Sequence, residues 1–287
     1  MKISQLNTKN KIPISFEVFP PKDSNSLNSF YKKIDSFKKL NPDFISVTYG
    51  AGGSKKEKTI EITSKIKSTY NIESMAHFTC IGHSINDIDN MLVSLKNNKI
   101  DNILALRGDP PMNNPTFDLS KNIFLHASDL ISYINEKNDF FISAAAYVEG
   151  HPDSKSIKED LHHLKIKVAS GVSMLITQMF FDNRIFYDYV DRAKSLGINC
   201  PISASIMPIF KYDQIKTMAT RSYCSFPSKL ITIIEKYKNN EEDLKKAGLD
   251  YSINQMQNLI DNNVDGIHLY TMNRQKSTKY IIDNITL

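Results

Sequence analysis

Eight short apolar runs recur along this chain, and their alternation with longer amphipathic stretches constrains the fold more than any other feature. Each run is rich in β-branched or aromatic residues, as is typical of a buried strand. The runs occupy residues 14–19, 44–50, 74–80, 102–108, 140–147, 174–181, 201–208 and 266–272. The clearest helical stretch lies between the fifth and sixth runs, where Asp153 and Ser154 are plausible helix caps.

Polar residues near the strand ends give the period of this pattern. Successive members of the set are 30 to 38 residues apart: Glu17, Thr48, Thr79, Asp109, Tyr147 and Gln178. One strand with its helix fills about thirty residues, so the unit repeats along the chain. The last interval, from Met207 to Tyr270, is about twice as long and predicts extra helix over roughly residues 211–263.

Eight parallel strands with crossover helices close into a (β/α)8 TIM barrel, and the alternative is an open doubly wound sheet with a cofactor in its crevice. The count of eight and the even period favour the barrel. No linker rich in Gly, Ser or Pro is long enough to divide the chain. We therefore expect a single catalytic domain over residues 1–287.

The composition is ordinary for a soluble protein, with 287 residues, 41% of them hydrophobic and 23% charged. The formal net charge of +5 fits a solvated surface and would also attract an anionic ligand. Without a dense basic block, a nucleic-acid-binding module is weakly supported. Three scattered cysteines, no apolar signal segment and no long apolar run predict a cytoplasmic protein that neither enters a membrane nor is secreted.

Glu17 lies inside the first apolar run, where an ionised carboxylate is costly unless it is paired or used. Strand alternation places Phe16 and Val18 on the face opposite Glu17, and Ser15 on the same face as Glu17. Because barrel function gathers at the C-terminal strand ends, Glu17 is expected to point into the barrel mouth. Partial burial there disfavours the charged form and suits a general acid; the alternative is a structural ion pair with Arg or Lys.

Arg107, Gly108 and Asp109 follow the fourth run. Arg107 and Asp109 are two residues apart and are expected on one side of the strand. Arg can hold a phosphate by a bidentate contact, and the Gly would let a ligand approach the backbone. The alternative is an Arg–Asp pair at a strand end.

Other motifs are weaker. Residues 49–54 (YGAGGS) resemble a phosphate loop, but Lys55 stands where the third Gly of GxGxxG belongs. No HExxH or Cys/His pattern indicates a metal, and no GxSxG or Cys motif indicates a nucleophile.

Seven ordered motifs give the chain a close resemblance to the bacterial methylenetetrahydrofolate reductase family over roughly residues 12–283. They are SFEVFPPK, FISVTYGAGGS, HFTC, ILALRGDPP, AAYVEGHP, ITQMFFD and YTMNR. The resemblance implies a flavoprotein barrel that holds FAD non-covalently and takes a hydride from NAD(P)H. It then reduces 5,10-methylenetetrahydrofolate to 5-methyltetrahydrofolate by a ping-pong reaction that supplies methyl groups for methionine synthesis. The sequence leaves NADH and NADPH open as the donor, and NADH is the expectation for the bacterial family. The resemblance implies a homo-oligomer as well.

The resemblance also assigns roles to residues. Glu17 matches the general acid, and Asp109 matches a residue beside the flavin and the pterin. Asp109, Gln178, Gln214 and Arg274 match substrate-binding positions. The cofactor-binding positions implied are Thr48, Tyr49, Ala51, His77, Arg107, Gly108, Asp109, His126, Ala127, Tyr147, His151, Ser154, Asp160, His163 and Lys167.

Four positions depart from the family pattern. His126 stands where Tyr is familiar, and His163 replaces Asn. Met218 replaces a Phe expected over the folate, and Ile166 replaces an Arg near the FAD phosphates. The alternative is another flavin-dependent TIM-barrel oxidoreductase, of the proline dehydrogenase type, which would lack the acid of the FEVFPP motif.

Overall fold

The computed structural model describes residues 1–6, 11–23, 25–49, 56–110, 117–137, 139–221 and 224–287. Eight parallel strands pair in chain order, and the eighth also pairs with the first. The sheet is therefore a closed (β/α)8 barrel, which confirms the predicted fold and rules out the open doubly wound sheet.

Every predicted run contains a strand, and each strand ends before its apolar run does. The strands are β1 (Ile14–Val18), β2 (Phe44–Val47), β3 (Glu73–Thr79), β4 (Asn102–Leu106), β5 (Phe141–Ala146), β6 (Met174–Thr177), β7 (Ile202–Ile206) and β8 (Gly266–Tyr270). The remaining residues of each run turn into the loops at the C-terminal face, which is where a barrel builds its site.

Helices follow the strands around the outside of the barrel. Those in the described part of the chain are α1 (Leu27–Lys38), α2 (Lys56–Tyr70), α3 (Ile85–Asn97), α4 (Ala127–Lys137), α5 (Ile157–Ala169), α6 (Asn183–Ser195), α7 (Tyr212–Arg221), α8 (Ser228–Tyr237), α9 (Glu241–Asp261) and α10 (Gln275–Asp283). Three of them, α7 to α9, occupy the long interval before β8 and confirm the extra helix predicted there.

The start of α5 differs from the sequence-based expectation. Its cap is Ser156, whose side chain accepts a hydrogen bond from the backbone N–H of Glu159. Ser156 adjoins the first helical residue and has extended backbone angles, the geometry that a capping side chain needs. The expectation that Asp153 or Ser154 caps this helix is therefore wrong.

Alternation along β1 separates two environments, as predicted. Phe16 and Val18 are buried beneath the helices, and the Phe16 ring lies 5.7 Å from the ring of Phe37 in α1. Ser15 and Glu17 point into the barrel, where they meet residues of β8. The outward face of β1 thus packs in the hydrophobic core, and its inward face places polar side chains inside the barrel.

The barrel interior changes from apolar to polar along its axis. At the N-terminal end, Ile3 packs with apolar residues of five strands: Phe44, Met75, Leu104, Phe141, Met174 and Ile176. Nearer the mouth the interior side chains include Ser15, Ser46, His77 and His268, all buried. Ser15 and Ser46 contact the two ring nitrogens of His268, as expected for buried polar groups, whereas Nε2 of His77 has no hydrogen-bond partner among the described residues.

No helix in the described ranges is long and apolar enough to cross a bilayer. Within the same ranges no group of three or more His, Cys, Asp or Glu side chains could hold a metal ion. All three cysteines are unpaired.

Candidate active site

Glu17 lies at the end of β1 between two imidazole rings. Its Oε2 is 3.5 Å from Nε2 of His77 on β3 and 3.5 Å from Nε2 of His268 on β8. The Glu17 side chain is 15% exposed, whereas His268 is fully buried. Among the described residues, no Arg or Lys forms an ion pair with Glu17. The alternative of a structural ion pair with Arg or Lys is therefore not found in this part of the chain.

Burial controls the charge of the neighbouring His77. It lowers the pKa of His77 to about 4, against the opposing pull of the Glu17 carboxylate. His77 is therefore neutral at pH 7 and does not act as a cationic partner for Glu17. Nε2 of His77 has no hydrogen-bond partner among the described residues, so Glu17 and this ring are in contact at 3.5 Å without a hydrogen bond between them.

The loop after β8 holds the end of β1 in place. Thr271 Oγ1 donates to the carbonyl of Glu17 at 2.6 Å. Asn273 bonds the backbone of Phe19 twice, accepting from its N–H at 3.3 Å and donating to its carbonyl at 2.8 Å. Met272 and Asn273 both have positive φ, 50° and 52°, an uncommon conformation for residues with side chains. The hydrogen bonds from this strained loop thus fix the position of the Glu17 backbone.

Tyr270 connects Glu17 to Gln178 across the mouth. The Tyr270 hydroxyl is 3.4 Å from Gln178 Oε1, which also accepts from the backbone N–H of Met179 at 2.9 Å. Burial first, and then the nearby Glu17 carboxylate, raise the pKa of Tyr270, so that it remains a neutral donor. Gln178 is consequently held with a fixed orientation at the end of β6.

A second group of polar residues lies at the ends of β4 and β5. Arg107 Nη1 donates to Asp153 Oδ2 at 3.0 Å, and the Tyr147 and His151 rings pack edge to face with centroids 4.6 Å apart. Burial lowers the pKa of His151 and raises that of Tyr147. The nearby charges of Arg107 and Asp109 act in opposite directions on the pKa of Tyr147, which places that ring near both.

Gly108 has φ +86°, and a Cβ there would lie 3.0 Å from Cβ of Thr79. The left-handed turn comes two residues after β4 ends at Leu106, so strand alternation no longer applies. The expectation that Arg107 and Asp109 share one side of a strand is therefore wrong. Arg107 turns to Asp153, while Asp109 is exposed at the mouth.

The fifth helix contributes a buried acid and a partly buried cation. Asp160 is buried and accepts a hydrogen bond from Ser154 Oγ at 3.3 Å. Lys167 Nζ donates to the carbonyl of Ala145 at 2.9 Å, and burial lowers its pKa while Asp160 opposes that shift. His163 is exposed on the same helix. His126 is exposed before α4, and Ala127 is the first residue of that helix.

The end of β2 places Thr48 and Tyr49 at the mouth. The carbonyl of Thr48 accepts from Thr59 Oγ1 at 3.2 Å, and Tyr49 Oη lies 3.1 Å from His83 Nε2. Burial raises the pKa of Tyr49 to about 12. Ala51, the remaining predicted cofactor position, lies outside the described residues.

Gln214 and Arg274 converge on the loop after β7. Gln214 Oε1 accepts from the backbone N–H of Phe210, and its Nε2 donates to the carbonyl of Pro208, both at 2.9 Å. The Arg274 guanidinium carbon lies 4.6 Å from the centroid of the Phe210 ring. Gln214 thus fixes the loop that presents Phe210, and Phe210 holds Arg274 by a cation–π contact.

The arrangement combines a half-buried carboxyl with flanking polar side chains at the open end of a barrel. Such a carboxyl can transfer a proton to a bound molecule, and the surrounding Arg, Lys and amide groups can hold an anionic or amide-bearing ligand. A family model described as methylenetetrahydrofolate reductase matches residues 2–286.

The chain belongs to the methylenetetrahydrofolate reductase family.

Individual relatives agree with the family match. The chain is 35% identical over 297 residues to "Methylenetetrahydrofolate reductase (NADH) 1" of Arabidopsis thaliana, an alignment covering all of this chain and 50% of that protein. It is 34% identical over 271 residues to the 5,10-methylenetetrahydrofolate reductases of Salmonella typhimurium and Escherichia coli, covering 94% of this chain and 90% of each. It therefore spans about half the length of the plant relative and nine-tenths of the bacterial ones.

A solved structure shares the fold. It is described as an uncharacterized protein from Clostridium thermocellum that binds two copies of 5-methyl-5,6,7,8-tetrahydrofolic acid. The TM-score is 0.64 at 14% sequence identity, with 98% of this chain and 96% of that chain covered. At this identity the likeness concerns the barrel alone.

Several residues that shape the site were not singled out from the sequence. His268 lies against Glu17 and Ser15 contacts His268 within the barrel, while Asn273 bonds the backbone of Phe19 and Phe210 contacts Arg274. For His268 a signal was present, because a His alternating with Ile267 and Leu269 in a buried strand faces the same interior as Glu17. Nothing local in the sequence marked Phe210, whose partner is 64 residues away.

Proposed function

We propose that this chain is an FAD-dependent reductase that converts 5,10-methylenetetrahydrofolate to 5-methyltetrahydrofolate, with NADH as hydride donor. The observation that carries the proposal is Glu17, a largely buried carboxyl at the barrel mouth of a member of this family, with two imidazoles and, among the described residues, no Arg or Lys as its ion-pair partners. Membership of the family argues against the alternative of a proline dehydrogenase type of barrel.

The residues present fit a dinucleotide flavin. Arg107 and Lys167 offer two cations for a diphosphate, and Lys167 is partly buried with a carbonyl as its bonded acceptor. Gly108 packs closely against Thr79 and Ile81, so the turn that presents Arg107 and Asp109 leaves no room for a side chain at this position. The packed rings of Tyr147 and His151 offer a surface with both apolar and polar atoms beside Arg107 and Gly108. When bound, the flavin would accept a hydride from the nicotinamide and donate one to the folate.

The chain's own task in the folate reaction is to move a proton. In the proposal, Glu17 protonates the folate nitrogen that leaves the methylene bridge. The carbon–nitrogen bond breaks with its electron pair passing to that nitrogen, and the bridge carbon becomes an iminium that can accept hydride. Without the proton the departing nitrogen would carry a negative charge, so the acid lowers the barrier for bond cleavage.

The other residues position the substrate. Asp109, exposed at the mouth, is proposed to bind the pterin and to influence the flavin potential through its charge. Gln178 presents an amide held by Tyr270. Arg274, resting on Phe210, presents a guanidinium suited to a folate carboxylate. Gln214 uses both ends of its amide within the loop, so its proposed contribution to folate binding acts through Phe210.

The cellular setting is also part of the proposal. We propose that the chain acts in the cytoplasm as a homo-oligomer and supplies methyl groups for methionine synthesis. Size-exclusion chromatography with light scattering tests the oligomeric state directly.

The proposed function is tested first by colour. The purified protein is expected to be yellow, and acid precipitation is expected to release that colour into the supernatant, because the flavin is not covalently attached. Anaerobic NADH should bleach the flavin band, and methylenetetrahydrofolate should restore it. A protein that binds no flavin after incubation with FAD would overturn the proposal, whereas colour left in the pellet would overturn only non-covalent attachment.

Ile166→Arg is expected to tighten FAD binding. Ile166 is 48% exposed on α5, beside Lys167, and an Arg there could reach the phosphates. One new charge-assisted hydrogen bond contributes roughly 1.5–3 kcal/mol at best, and less at this exposure. The measurement is the rate of FAD loss on dilution. Ile231→Arg on α8 is the matched control, because Ile231 is also 48% exposed. An unchanged or faster loss in Ile166→Arg would place α5 away from the phosphates.

A further inference from the structure

The guanidinium of Arg107 already has an anionic partner at the barrel mouth. Its Nη1 donates to Asp153 Oδ2 at 3.0 Å, and the two side chains come from the loops that follow β4 and β5. The Arg107 side chain is 30% exposed, and that of Asp153 is 65% exposed. An ion pair with this much solvent around it contributes little to stability, so another anion can replace Asp153 at small cost.

Charges of both signs surround the neighbouring His151 ring. Its pKa responds to two cations and two carboxylates: Arg107, Lys167, Asp153 and Asp160. The formal charges of these four groups cancel. The region therefore offers no net positive charge to an anionic ligand while both carboxylates stay in place.

The two carboxylates differ in how firmly they are held. Asp160 is buried and accepts a hydrogen bond from Ser154 Oγ at 3.3 Å. Asp153 is mostly exposed, and within the described residues its carboxylate accepts a hydrogen bond from Arg107 alone. Asp153 is consequently the carboxylate that can turn away to solvent.

The backbone of Asp153 makes separate contacts that do not involve its carboxylate. Its N–H donates to His151 Nδ1 at 3.0 Å, and the N–H of Ser154 donates to the carbonyl of His151 at 2.9 Å. These bonds hold the turn over residues 151–154. An Asp153→Asn change therefore removes the negative charge and keeps the bonds that hold the turn.

We propose that Asp153 competes with the diphosphate of FAD for Arg107, occupying that guanidinium in the free chain and releasing it when the cofactor binds. The inference rests on the proposed function, in which Arg107 and Lys167 hold the diphosphate. A phosphate can accept from two N–H groups of a guanidinium, whereas Asp153 accepts from one, so the exchange favours the ligand. Asp153 thus weakens cofactor binding without contacting the cofactor.

Dilution of the flavin-loaded protein, with released FAD measured by its fluorescence, gives the Kd. Asp153→Asn is expected to lower the Kd for FAD about three- to tenfold, because the competing contact and its charge are both removed. Asp188→Asn on α6 is the matched control and should leave the Kd unchanged. Asp188 is 59% exposed and pairs with Arg192 at 2.8 Å. An unchanged Kd in Asp153→Asn overturns the inference, and a higher one would show that Asp153 holds Arg107 in place for the cofactor.

ADP separates this inference from the proposed function, because ADP carries a diphosphate and no flavin. In calorimetric titrations of flavin-free protein, ADP should bind Asp153→Asn more tightly than wild type by a similar factor. The gain should disappear when Arg107→Ala is present in both proteins, and a gain that persists contradicts the competition. Failure of the wild type to take up FAD overturns the proposed function only. Equal ADP affinity in wild type and Asp153→Asn overturns the inference whether or not FAD binds, and a wild type that binds neither ligand overturns both.

Discussion

Replacing Glu17 with Gln is expected to slow flavin oxidation by methylenetetrahydrofolate by roughly 10²–10⁴-fold or more, the usual reach of general acid catalysis. The folate half-reaction needs a proton on the departing nitrogen, and a carboxamide cannot provide one. Flavin reduction by NADH is a direct hydride transfer and needs no such acid. That half-reaction is expected to change by less than about tenfold.

Anaerobic stopped-flow spectroscopy follows each half-reaction separately at the flavin band. Glu61→Gln, an exposed change on α2, is the control for the loss of one carboxylate. Equal slowing of both half-reactions would make Glu17 a binding or structural residue. If Glu17→Gln slows neither, the proton comes from another group and the proposed role of Glu17 is wrong.

Among the substitutions considered, Gly248→Ala is expected to lower the free energy of unfolding the most. Gly248 is buried in α9, and a Cβ there would collide with the carbonyl oxygen of Ile209, which belongs to the loop that carries Phe210. On an open helix surface the same change would stabilise by about 0.5–1 kcal/mol. Here overpacking against backbone dominates, and we expect the free energy of unfolding to fall by about 1–3 kcal/mol or more.

Urea unfolding followed by circular dichroism measures this change, with Lys246→Ala, an exposed substitution on the same helix, as the control. Because Ile209 adjoins Phe210, the folded fraction should also bind folate more weakly while its flavin reduction by NADH is kept. A Gly248→Ala protein at least as stable as the wild type would show that α9 can move away from the loop at no cost.

The sequence by itself determined the fold class and the directions of the side chains along β1. Its eight apolar runs have the length and composition of buried strands, and the regular spacing leaves room for one helix after each. Alternation in β1 correctly put Glu17 opposite Phe16 and Val18, because successive side chains of a strand point to opposite faces. Both inferences rest on local periodicity, which a linear sequence contains.

The sequence was less reliable where a local rule stops or several similar residues compete. Arg107 and Asp109 were treated as strand residues, but β4 ends at Leu106 and the positive φ of Gly108 between them belongs to a turn, where strand alternation no longer applies. Several neighbouring residues could have capped α5, and Ser156 does so. Asp153 instead accepts a hydrogen bond from Arg107, and Ser154 donates one to Asp160.

Only the tertiary structure decided what surrounds the proposed acid. His268 reaches Glu17 from a strand 251 residues later in the chain, because closing the barrel pairs β8 with β1. The contact of Phe210 with Arg274 likewise joins two loops that no local pattern connects. Composition and spacing can place a carboxylate at the mouth of a barrel. Which side chains surround that carboxylate depends on distances that arise only when the sheet closes on itself.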